Sequence, residues 1–382
     1  MRFAVDAHAI GCKLTGNEVY VRNLLAGLAS LEEDAQLIAY LSGGDADGWV
    51  PPRILRRTVA RNPYVRLGYD LSRSLRHDRP DLVHVQYTAP LGCPVPVVVS
   101  VHDVSFLEHP EYFQYLRRQQ LRLTVRRTVH AAARIITGSE FSRDCIARAY
   151  GLDPGAITVV PNAASSIFRP VDRSSAAHQV SLRFAVSGPF LLTVGDLQPR
   201  KNQIGLIRAF ARMVGEHPQL PHDLVIAGKD TWFSPQVRQA ASECGVADRV
   251  RFTGFVPDQD LLVLYGACDV FVFPSFYEGF GLPVLEAMAC GRAVACSRTS
   301  ALPEVADAAA IFFDPGSEDE MARAMADLLL DPELRARMEK LGMGRAARFS
   351  WRDTAEKTLQ VYHQVAGRHE TRSRIVVPVG RS

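Results

Sequence analysis

The stretch PSFYEGFGLPVLEAMACGRAV, residues 274–294, carries the strongest structural signal in the chain. It continues the apolar run DVFVFPS, residues 269–275, which is typical of a buried strand. Glycine at positions 279 and 281 lets the backbone turn sharply, and Pro283 suits the first position of a helix, where a missing N–H has no consequence. Strand, glycine turn and helix in this order are the ligand-binding arrangement of open α/β sheets. The stretch therefore predicts an α/β fold with a binding site at this turn.

Similar apolar runs recur along the whole chain and alternate with amphipathic segments. The predicted strands are RFAVDA, QLIAYL, LVHVQ, PVVVSV, RIIT and ITVVP in the first part, and FLLTV, DLVIAG, VRFTG, DVFVFP, RAVACS and AAIFF in the second. This alternation predicts two tandem Rossmann-like, doubly wound domains, each with a parallel sheet. The polar segment RPVDRSSAAHQV, residues 169–180, is the predicted linker. We therefore expect domains at 1–168 and 169–350, a helix at 351–370 and an unassigned tail at 371–382.

Composition narrows the class of protein. The chain has 382 residues, 47% hydrophobic and 22% charged, which suits two domains of ordinary size. A formal net charge of +3, without a nucleic-acid-binding motif, gives no indication of a nucleic-acid partner. The seven cysteines form no CxxC pair, so neither a disulfide framework nor a zinc site is predicted. With no charged leader and no apolar run of about 20 residues, the protein is expected in the cytoplasm.

The glycine turn has the features of an anion site flanked by carboxylates. The backbone amides of Phe280, Gly281 and Leu282 are expected at a helix start, where free N–H groups bind anions. Glu278 precedes the turn and Glu286 is expected in the first helical turn, so neither carboxylate occupies the anion seat. Carboxylates beside a phosphate suit sugar hydroxyls, and together they predict a nucleotide-sugar site. Taken singly, Glu286 is explained equally well as a residue that complements the helix dipole, and Glu278 as a loop residue.

A second cluster, GDLQPRKN at residues 195–202, directly follows the predicted strand FLLTV. It places Arg200 and Lys201 at the carboxyl end of a strand, the edge where open α/β sheets bind ligands. Fixed cations there would stabilise the charge that a diphosphate gains as it leaves. The alternative is an ordinary pair of basic surface residues.

These motifs resemble those of the family 4 retaining glycosyltransferases, whose signature has two Glu separated by seven residues. The resemblance extends over nearly the whole chain and includes DAHAIGCKLTGNEVYVRNLL, VVVSVHDVSFLEHPEYF, RIITGSEFSRD, VVPNAAS, LLTVGDLQPRKN, LVIAGKD and VRFTGFVPDQDL. It implies the glycosyltransferase B (GT-B) fold, in which two Rossmann-like domains face each other across a cleft. It also implies that the last helix crosses back to the first domain.

The resemblance assigns roles to residues of the second domain. Glu278 would hold hydroxyls of the transferred sugar and Glu286 those of the ribose. Arg200 and Lys201 would hold the diphosphate, although Asp196 stands where many members of the family have an arginine. The remaining expected donor-binding residues, at the turn and beside the nucleotide base, are Gly228, Lys229, Phe255, Val256, Gly279, Phe280, Gly281 and Leu282.

In the first domain the resemblance points to Gly16 and His102. Gly16 lies in a segment similar to the glycine loop whose amide faces the diphosphate. His102 follows the strand PVVVSV and would lie beside the transferred sugar, although a histidine at a strand end is as often structural. With Arg200, Lys201 and Glu278, it completes the predicted catalytic set.

No protein nucleophile is evident, so we expect a front-face displacement that retains the anomeric configuration, with no cofactor. Asp258 and Asp260 resemble a manganese-binding aspartate pair, but a helix N-cap at Asp258 with Asp260 in the first turn explains them better, and no metal is expected. The alternatives are a sugar-nucleotide epimerase or hydrolase of the same fold, and a non-catalytic nucleotide-sugar-binding protein.

The stretches HDVSFLEHPEYF and TGNEVYVRNLL resemble those of bacterial mannosyl- and rhamnosyltransferases, which implies a mannose-like hexose. The expected reaction moves it from a GDP- or UDP-linked donor to a saccharide or lipid-linked saccharide in cell-surface polysaccharide synthesis such as that of lipopolysaccharide. Residues 53–134 contain 14 Arg or Lys against 6 Asp or Glu. Five of these arginines lie in the helix-like stretch YFQYLRRQQLRLTVRRTV. Such a basic amphipathic face can bind an anionic membrane, which would place the protein peripherally on the inner face of the cell membrane; the alternative is a solvated helix face.

Overall fold

The computed structural model describes residues 1–12, 15–32, 34–43 and 48–375. The chain divides into two compact units. The first unit is Met1–Asn162 together with the segment that starts at Ser350, and the second is Ala163–Phe349. The sequence placed the corresponding boundaries after residues 168 and 350.

The first unit contains a seven-stranded, all-parallel sheet in the order β3-β2-β1-β4-β5-β6-β7. Its strands are β1 (Arg2–Asp6), β2 (Gln36–Leu41), β3 (Leu55–Thr58), β4 (Leu82–Gln86), β5 (Val97–Ser100), β6 (Arg134–Thr137) and β7 (Ile157–Val159). Its helices are α1 (Thr15–Ser30), α2 (Pro63–Val65), α3 (Leu71–Asp78), α4 (Ser105–Glu108), α5 (Tyr115–Ala131), α6 (Glu140–Tyr150) and α15 (Trp351–Ile375). A π-helical turn, Arg66–Asp70, joins α2 to α3.

The second unit contains a six-stranded parallel sheet in the order β10-β9-β8-β11-β12-β13. Its strands are β8 (Phe190–Val194), β9 (Asp223–Ala227), β10 (Val250–Gly254), β11 (Val270–Phe273), β12 (Ala293–Ser297) and β13 (Ile311–Phe313). Its helices are α7 (Arg173–Phe184), α8 (Gln203–Glu216), α9 (Ser234–Glu243), α10 (Asp258–Ala267), α11 (Leu282–Ala289), α12 (Leu302–Ala306), α13 (Glu318–Leu330) and α14 (Pro332–Ala346).

Both sheets are covered on their two faces by helices, as parallel sheets require. Alternate residues of each strand enter different hydrophobic clusters. In β1, for example, Phe3 and Val5 pack with α1 and α15, whereas Ala4 packs with α3 and α5. The near-continuous apolar strands predicted from the sequence are explained by this burial on both faces. The predicted α/β class with two parallel sheets is confirmed.

Three details differ from the sequence prediction. Strand β3 was missed because its sequence LRRT is largely exposed at the sheet edge and has no apolar pattern. The predicted linker 169–180 is wrong, since α7 begins at Arg173 after an N-cap at Asp172, whose side chain accepts from the Ser175 amide. Helix α15 continues to Ile375, beyond the predicted end at residue 370.

Helix α15 packs closely on α1 within the first unit. A Cβ at Gly27 of α1 would lie 2.6 Å from the Trp351 carbonyl oxygen, so only glycine allows this approach. Further along α15, Tyr362 is fully buried in the same cluster as Phe3. In the ranges that the structure describes, none of the helices combines the length and apolar character that crossing a bilayer requires.

Candidate functional site

The candidate site in the second unit lies where the order of the strands reverses. From β8 the chain proceeds to β9 and β10 on one side, and then returns to β11 on the other side of β8. The connections that follow β8 and β11 therefore run in opposite directions from the carboxyl edge of the sheet. Open α/β sheets bind their ligands at this point. These two loops carry GDLQPRKN and the glycine turn. A backbone hydrogen bond of 2.9 Å from the Phe276 amide to the Arg200 carbonyl joins them.

Glu278 is held by the two neighbouring cations. Its Oε1 accepts a hydrogen bond of 2.7 Å from Lys201 Nζ, and its Oε2 lies 3.0 Å from Arg200 Nη1. Arg200 Nη1 also donates to the Tyr277 carbonyl at 2.6 Å, which fixes the guanidinium against the turn. The Glu278 amide donates to Ser300 Oγ at 2.9 Å. The structure thus brings together three of the four predicted catalytic residues.

Glu278 is the buried member of the cluster, and Arg200 and Lys201 are half-buried. Glu278 is 7% exposed. Burial alone would raise the pKa of Glu278, but the charges of Arg200 and Lys201 outweigh it and lower that pKa to about 2. Burial lowers the pKa of Lys201, and the Glu278 carboxylate opposes that shift. Lys201 Nζ also lies 4.9 Å from the centroid of the Phe273 ring, which favours the cation.

Three backbone amides beside this cluster are free. Among the described residues, no acceptor is within hydrogen-bonding geometry of the amides of Phe280, Gly281 and Leu282. Gly281 has φ of +101°, and a Cβ there would lie 2.5 Å from Leu302 Cδ2, so this turn needs glycine. The Phe280 and Gly281 amides precede α11, the Leu282 amide belongs to its first residue, and the Val284 amide donates to the Gly281 carbonyl. The predicted anion seat therefore has unpaired donors at a helix start.

Glu286 lies deeper in the unit than the sequence suggested. Because α11 starts at Leu282, Glu286 is in the second helical turn, and the prediction of the first turn is wrong. Its side chain is 7% exposed, and its Oε2 accepts a hydrogen bond of 3.0 Å from Tyr265 Oη. This partner fixes the carboxylate and was not foreseen, because Tyr265 is on α10.

The residues predicted to border the nucleotide base follow β9 and β10, at the same carboxyl edge of the sheet. The Gly228 amide donates to the Gly254 carbonyl at 2.9 Å, and a Cβ at Gly228 would lie 1.9 Å from the Gly195 carbonyl oxygen, so the loops are packed too closely for any side chain. The Lys229 side chain is exposed, and Phe255 is 45% exposed. The Val256 side chain is buried in the hydrophobic core, so only its backbone can face a ligand.

The aspartate pair after β10 is accounted for within the protein. The N-cap of α10 is Pro257, so the expectation of an N-cap at Asp258 is wrong, and Asp258 and Asp260 both lie in the first helical turn. Asp260 forms an ion pair with Arg183 of α7. In the part of the chain that the structure describes, no group of three or more His, Cys, Asp or Glu side chains could hold a metal ion.

In the first unit, His102 follows β5 at the carboxyl edge. Its Nε2 lies 3.1 Å from Gln86 Oε1, and Gln86 Nε2 donates to the Asn17 carbonyl at 3.3 Å. A carbonyl only accepts, so the amide group of Gln86 faces Asn17 and its oxygen faces His102. His102 Nε2 therefore carries the proton and Nδ1 is the acceptor in the neutral ring. Burial lowers the pKa of His102 to about 4, which keeps the ring neutral.

Gly16 lies beside Asn17, in the first turn of α1. It is exposed, and no atom of the described residues lies within 4 Å of a Cβ built there. The space is consistent with a glycine whose backbone faces a ligand. Gln86 connects the start of α1 to His102. The sequence analysis did not identify Gln86.

A buried chain of polar groups supports this region. His84 Nδ1 lies 2.6 Å from Tyr362 Oη, its Nε2 lies 2.7 Å from Ser100 Oγ, and Ser100 Oγ lies 2.8 Å from Tyr20 Oη. Burial lowers the pKa of His84 to about 3. The signal for these residues was in LVHVQ, where His84 and Gln86 are polar residues two apart on one face of an otherwise apolar strand.

Comparison with known proteins identifies the class. The family model for Glycosyl transferases group 1 matches residues 175–344, and that for Glycosyltransferase Family 4 matches residues 14–165. The chain is 32% identical over 265 residues to O-antigen chain mannosyltransferase B of Escherichia coli, covering 69% of this chain and 69% of that protein. It is 30% identical over 392 residues to D-inositol 3-phosphate glycosyltransferase 2 of Catenulispora acidiphila, covering 91% and 89%.

The fold agrees with these matches. Anabaena HepE in complex with UDP and glucose superposes with a TM-score of 0.75 at 19% identity, covering 94% of this chain and 98% of that one. The fold is that of the GT-B glycosyltransferases. The chain belongs to the group 1, or family 4, glycosyltransferases, as its motifs indicated.

Proposed function

We propose that this glycosyltransferase is a retaining, metal-independent hexosyltransferase that uses a nucleotide diphosphate sugar. The observation that carries the proposal is the cluster of the buried Glu278 with the half-buried Arg200 and Lys201, beside three amides at the start of α11 that have no acceptor among the described residues. Two fixed cations and a set of unpaired N–H groups suit a diphosphate, whereas a carboxylate suits sugar hydroxyls. These three residues and the glycine turn lie at the switch point of the second sheet.

Each member of the cluster retains bonding capacity for a ligand. A carboxylate has about four lone-pair sites, a guanidinium has five N–H donors, and an ammonium has three. Glu278 can therefore accept from sugar hydroxyls while both its oxygens remain paired with Arg200 and Lys201. The cations can donate to the diphosphate at the same time. Because Glu278 already orients them, little reorganisation accompanies the reaction.

The proposed chemistry follows from these roles. As the bond between the anomeric carbon and the diphosphate breaks, the leaving oxygen gains negative charge, which Arg200, Lys201 and the amides around Gly281 stabilise. The acceptor hydroxyl attacks from the same face, and the leaving phosphate oxygen takes its proton, so the configuration is retained. Glu286, held by Tyr265, binds the ribose. His102 presents its Nδ1 to a hydroxyl of the transferred sugar.

For the substrates, we propose a mannose-like hexose carried by GDP or UDP, and a saccharide or lipid-linked saccharide acceptor of a cell-surface polysaccharide. O-antigen chain mannosyltransferase B supports this choice by its similarity along the chain. The D-inositol 3-phosphate glycosyltransferase is nearly as similar, so the donor must be determined by experiment.

Donor binding tests the proposal first. A thermal-shift panel of GDP-, UDP- and dTDP-hexoses on the full chain should show one nucleotide class raising Tm, because a ligand that binds only the folded form stabilises it. Alanine at both Arg200 and Lys201 should abolish that shift, and Arg208→Ala, which changes an exposed arginine of α8, should preserve it. Equal Tm shifts in the wild type, the double alanine variant and Arg208→Ala would contradict the assignment of Arg200 and Lys201 to the donor site.

Product analysis tests the reaction. With the selected donor and a panel of methyl hexosides, proton NMR of the product should show the anomeric configuration of the donor, and addition of EDTA should leave the rate unchanged. An inverted product would exclude the front-face displacement, and loss of activity in EDTA would exclude metal independence. Free hexose or an isomerised donor without transfer would favour the epimerase or hydrolase alternative. Binding without turnover would favour a non-catalytic role.

We also propose that the protein works in the cytoplasm, peripherally on the inner face of the cell membrane. Helix α5 exposes Tyr115, Leu116 and Leu123, which are 67%, 80% and 70% accessible, among its exposed arginines. Apolar side chains that can enter a bilayer, surrounded by cations, suit an anionic lipid surface.

Vesicle flotation tests this placement. The protein should float with phosphatidylglycerol-containing vesicles at low salt and less at high salt, and Leu116→Asp with Leu123→Asp should remove flotation. The matched control is Leu182→Asp, which changes a 73% exposed leucine on α7 of the second unit. Flotation that is absent in the wild type, or equally reduced in the control, would contradict the proposal.

A further inference from the structure

The first unit has a switch point of its own, where the residues that end β1 have no role among those assigned so far. In its sheet, β1 lies between β2 and β4, so the chain leaves β1 toward one side and later returns to the other side at β4. Ligands of open α/β sheets bind at the carboxyl edge of such a point. Asp6 is the last residue of β1, and His8 follows two residues later.

Asp6 and His8 form an oriented pair. Asp6 is 2% exposed, and its Oδ1 lies 3.1 Å from His8 Nδ1. Burial by itself would raise the pKa of Asp6, but His8 and Arg66 outweigh it and lower that pKa. The ionised carboxylate can only accept, so His8 Nδ1 carries a proton and Nε2 is the acceptor in the neutral ring. Within the described ranges, His8 Nε2 has no hydrogen-bond partner.

Arg66 lies on the other side of Asp6 and is incompletely satisfied. Its side chain is 6% exposed, and its Nε lies 3.8 Å from Asp6 Oδ2, beyond hydrogen-bond distance. Among the described residues, its guanidinium makes no hydrogen bond, and Nε is a buried atom without a partner. Buried polar groups are normally hydrogen-bonded, so a guanidinium held only by a long ion-pair contact with Asp6 requires an explanation.

The local backbone conformation explains the position of the Arg66 side chain. Arg66 begins the π-helical turn that joins α2 to α3, and such turns occur frequently at functional sites. The neighbours Tyr64, Val65 and Tyr69 point to solvent, whereas Arg66 alone in the turn Arg66–Asp70 is buried. The turn therefore directs one cation toward the carboxyl edge of β1.

We propose that His8, Asp6 and Arg66 form a subsite for vicinal hydroxyls of the acceptor saccharide, a placement that rests on the proposed transfer to a saccharide. One hydroxyl donates to His8 Nε2, and a neighbouring hydroxyl accepts from the Arg66 guanidinium. Asp6 holds both groups in place. Since the charges of Asp6 and Arg66 cancel, the subsite favours a neutral diol over a phosphate.

The chain offers a matched control for the histidine. His109 and Glu111 form a second imidazole–carboxylate pair with a spacing of two residues and the same Nδ1 to oxygen distance of 3.1 Å. That pair is at the surface, where the Glu111 side chain is 58% exposed, against 2% for Asp6. A general effect of removing such a pair would appear in both places, whereas a binding role would appear only at His8.

The experiment measures saccharide binding directly on the full-length chain. Methyl α-glycosides of mannose, glucose, galactose and rhamnose are titrated while the imidazole ¹⁵N signals are followed by NMR. We expect at least one of them to shift the His8 Nε2 signal. His8→Ala should weaken that binding about 10-fold or more, the loss of a hydrogen bond in a charge-supported site, and His109→Ala should leave it unchanged. Asp6→Asn, which preserves the side-chain size at the buried position, should also weaken it.

The outcomes separate this inference from the proposed function. If no glycoside shifts the His8 signal, if His8→Ala and His109→Ala behave alike, or if inorganic phosphate shifts it more than any glycoside, the subsite assignment is wrong. If a glycoside binds through His8 but no nucleotide sugar raises Tm, the subsite stands and the proposed transferase function fails. If transfer occurs while His8→Ala leaves the acceptor KM unchanged, the function stands and the subsite fails.

Discussion

The carboxyl edges of the two sheets are built from opposite kinds of polar group. At the β8 and β11 edge, the buried Glu278 lies between the half-buried Arg200 and Lys201, and their charges stabilise one another. At the β4 and β5 edge, the buried His84 and the half-buried His102 are neutral rings, because removal from water lowers the pKa of His84 to about 3 and that of His102 to about 4. The first arrangement suits a leaving group that gains charge, and the second suits hydroxyls that must be oriented without attracting an anion. Two sheets of similar architecture thus divide the requirements of a transferase between them.

The largest effect should come from removing the cations at the charged edge. Arg200→Ala and Lys201→Ala should each lower kcat by about 10²–10³, the loss observed when a preorganised donor to a developing charge is removed. Steady-state kinetics with the selected donor measures this. Arg208→Ala is the control, because among the residues that the structure describes Arg208 pairs only with the exposed side chain of Glu318 in the same unit. Unchanged turnover in the double variant would show that the charge difference between the edges has no catalytic role.

Neutralising the Glu278 carboxylate should show how much its charge contributes to the stability of the same cluster. Glu278→Gln should lower the free energy of unfolding by about 3 kcal/mol at pH 7, since a pKa of about 2 in the fold lies well below the ordinary value of 4.5. The folded pKa is depressed, so this contribution is complete above pH 4.5 and is lost as pH falls toward 2. Urea denaturation at pH 7 and pH 4 should show the difference between the wild type and the variant becoming smaller by about 1 kcal/mol at the lower pH. A constant difference would mean that the carboxylate charge is not what stabilises the cluster.

Local patterns predicted the architecture because each strand carries its own signal. All twelve predicted strands are present, and the missed β3 is the one whose side chains are mostly polar and exposed. The glycine turn and the position of Arg200 and Lys201 were also local, since each follows directly from the end of a strand. The same reasoning failed for α7, where a polar composition concealed a helix capped by Asp172.

Partners distant in sequence were beyond such reasoning. Glu278 and Lys201 are 77 residues apart, and Gln86 and Asn17 are 69 apart. The sequence predicted that both Glu278 and Lys201 belong to the donor site, but the ion pair between them requires β8 and β11 to be neighbours. Gln86 and Tyr265 were missed for the same reason, because their importance lies only in the residues that they orient.

The neutral edge should give a distinct dependence of stability on pH. The folded pKa values of His84 and His102 lie below the ordinary 6.5, so the unfolded chain binds more protons between pH 6.5 and about 4. Stability is therefore complete above pH 6.5 and falls as pH decreases, by about 2 kcal/mol for each histidine at pH 5. His84→Gln should remove about half of this decrease.

Fluorescence can isolate the first unit for that measurement. Of the three tryptophans, Trp49 and Trp351 belong to the first unit, so a Trp232→Phe background reports its unfolding alone. His77→Gln, at an exposed site on α3, is the control and should leave the pH dependence as it is. If His84→Gln also leaves it unchanged, His84 is not the buried neutral group that distinguishes this edge.

The smallest effect concerns Gln86, which sets how the neutral edge presents His102. Gln86→Met preserves the length of the side chain but removes both the bond to His102 and the bond to the Asn17 carbonyl. Since an intramolecular hydrogen bond contributes roughly 1 kcal/mol, kcat/KM for the donor should fall about fivefold. Imidazole ¹⁵N NMR should show the Nε2–H tautomer of His102 in the wild type and a mixture of tautomers in the variant. The control Gln36→Met removes an exposed glutamine that bonds Arg2 in the same unit and should change neither measurement. If kcat/KM falls while the His102 tautomer is unaltered, Gln86 acts through the helix start at Asn17. If neither kcat/KM nor the tautomer changes, burial alone and not Gln86 sets the state of His102.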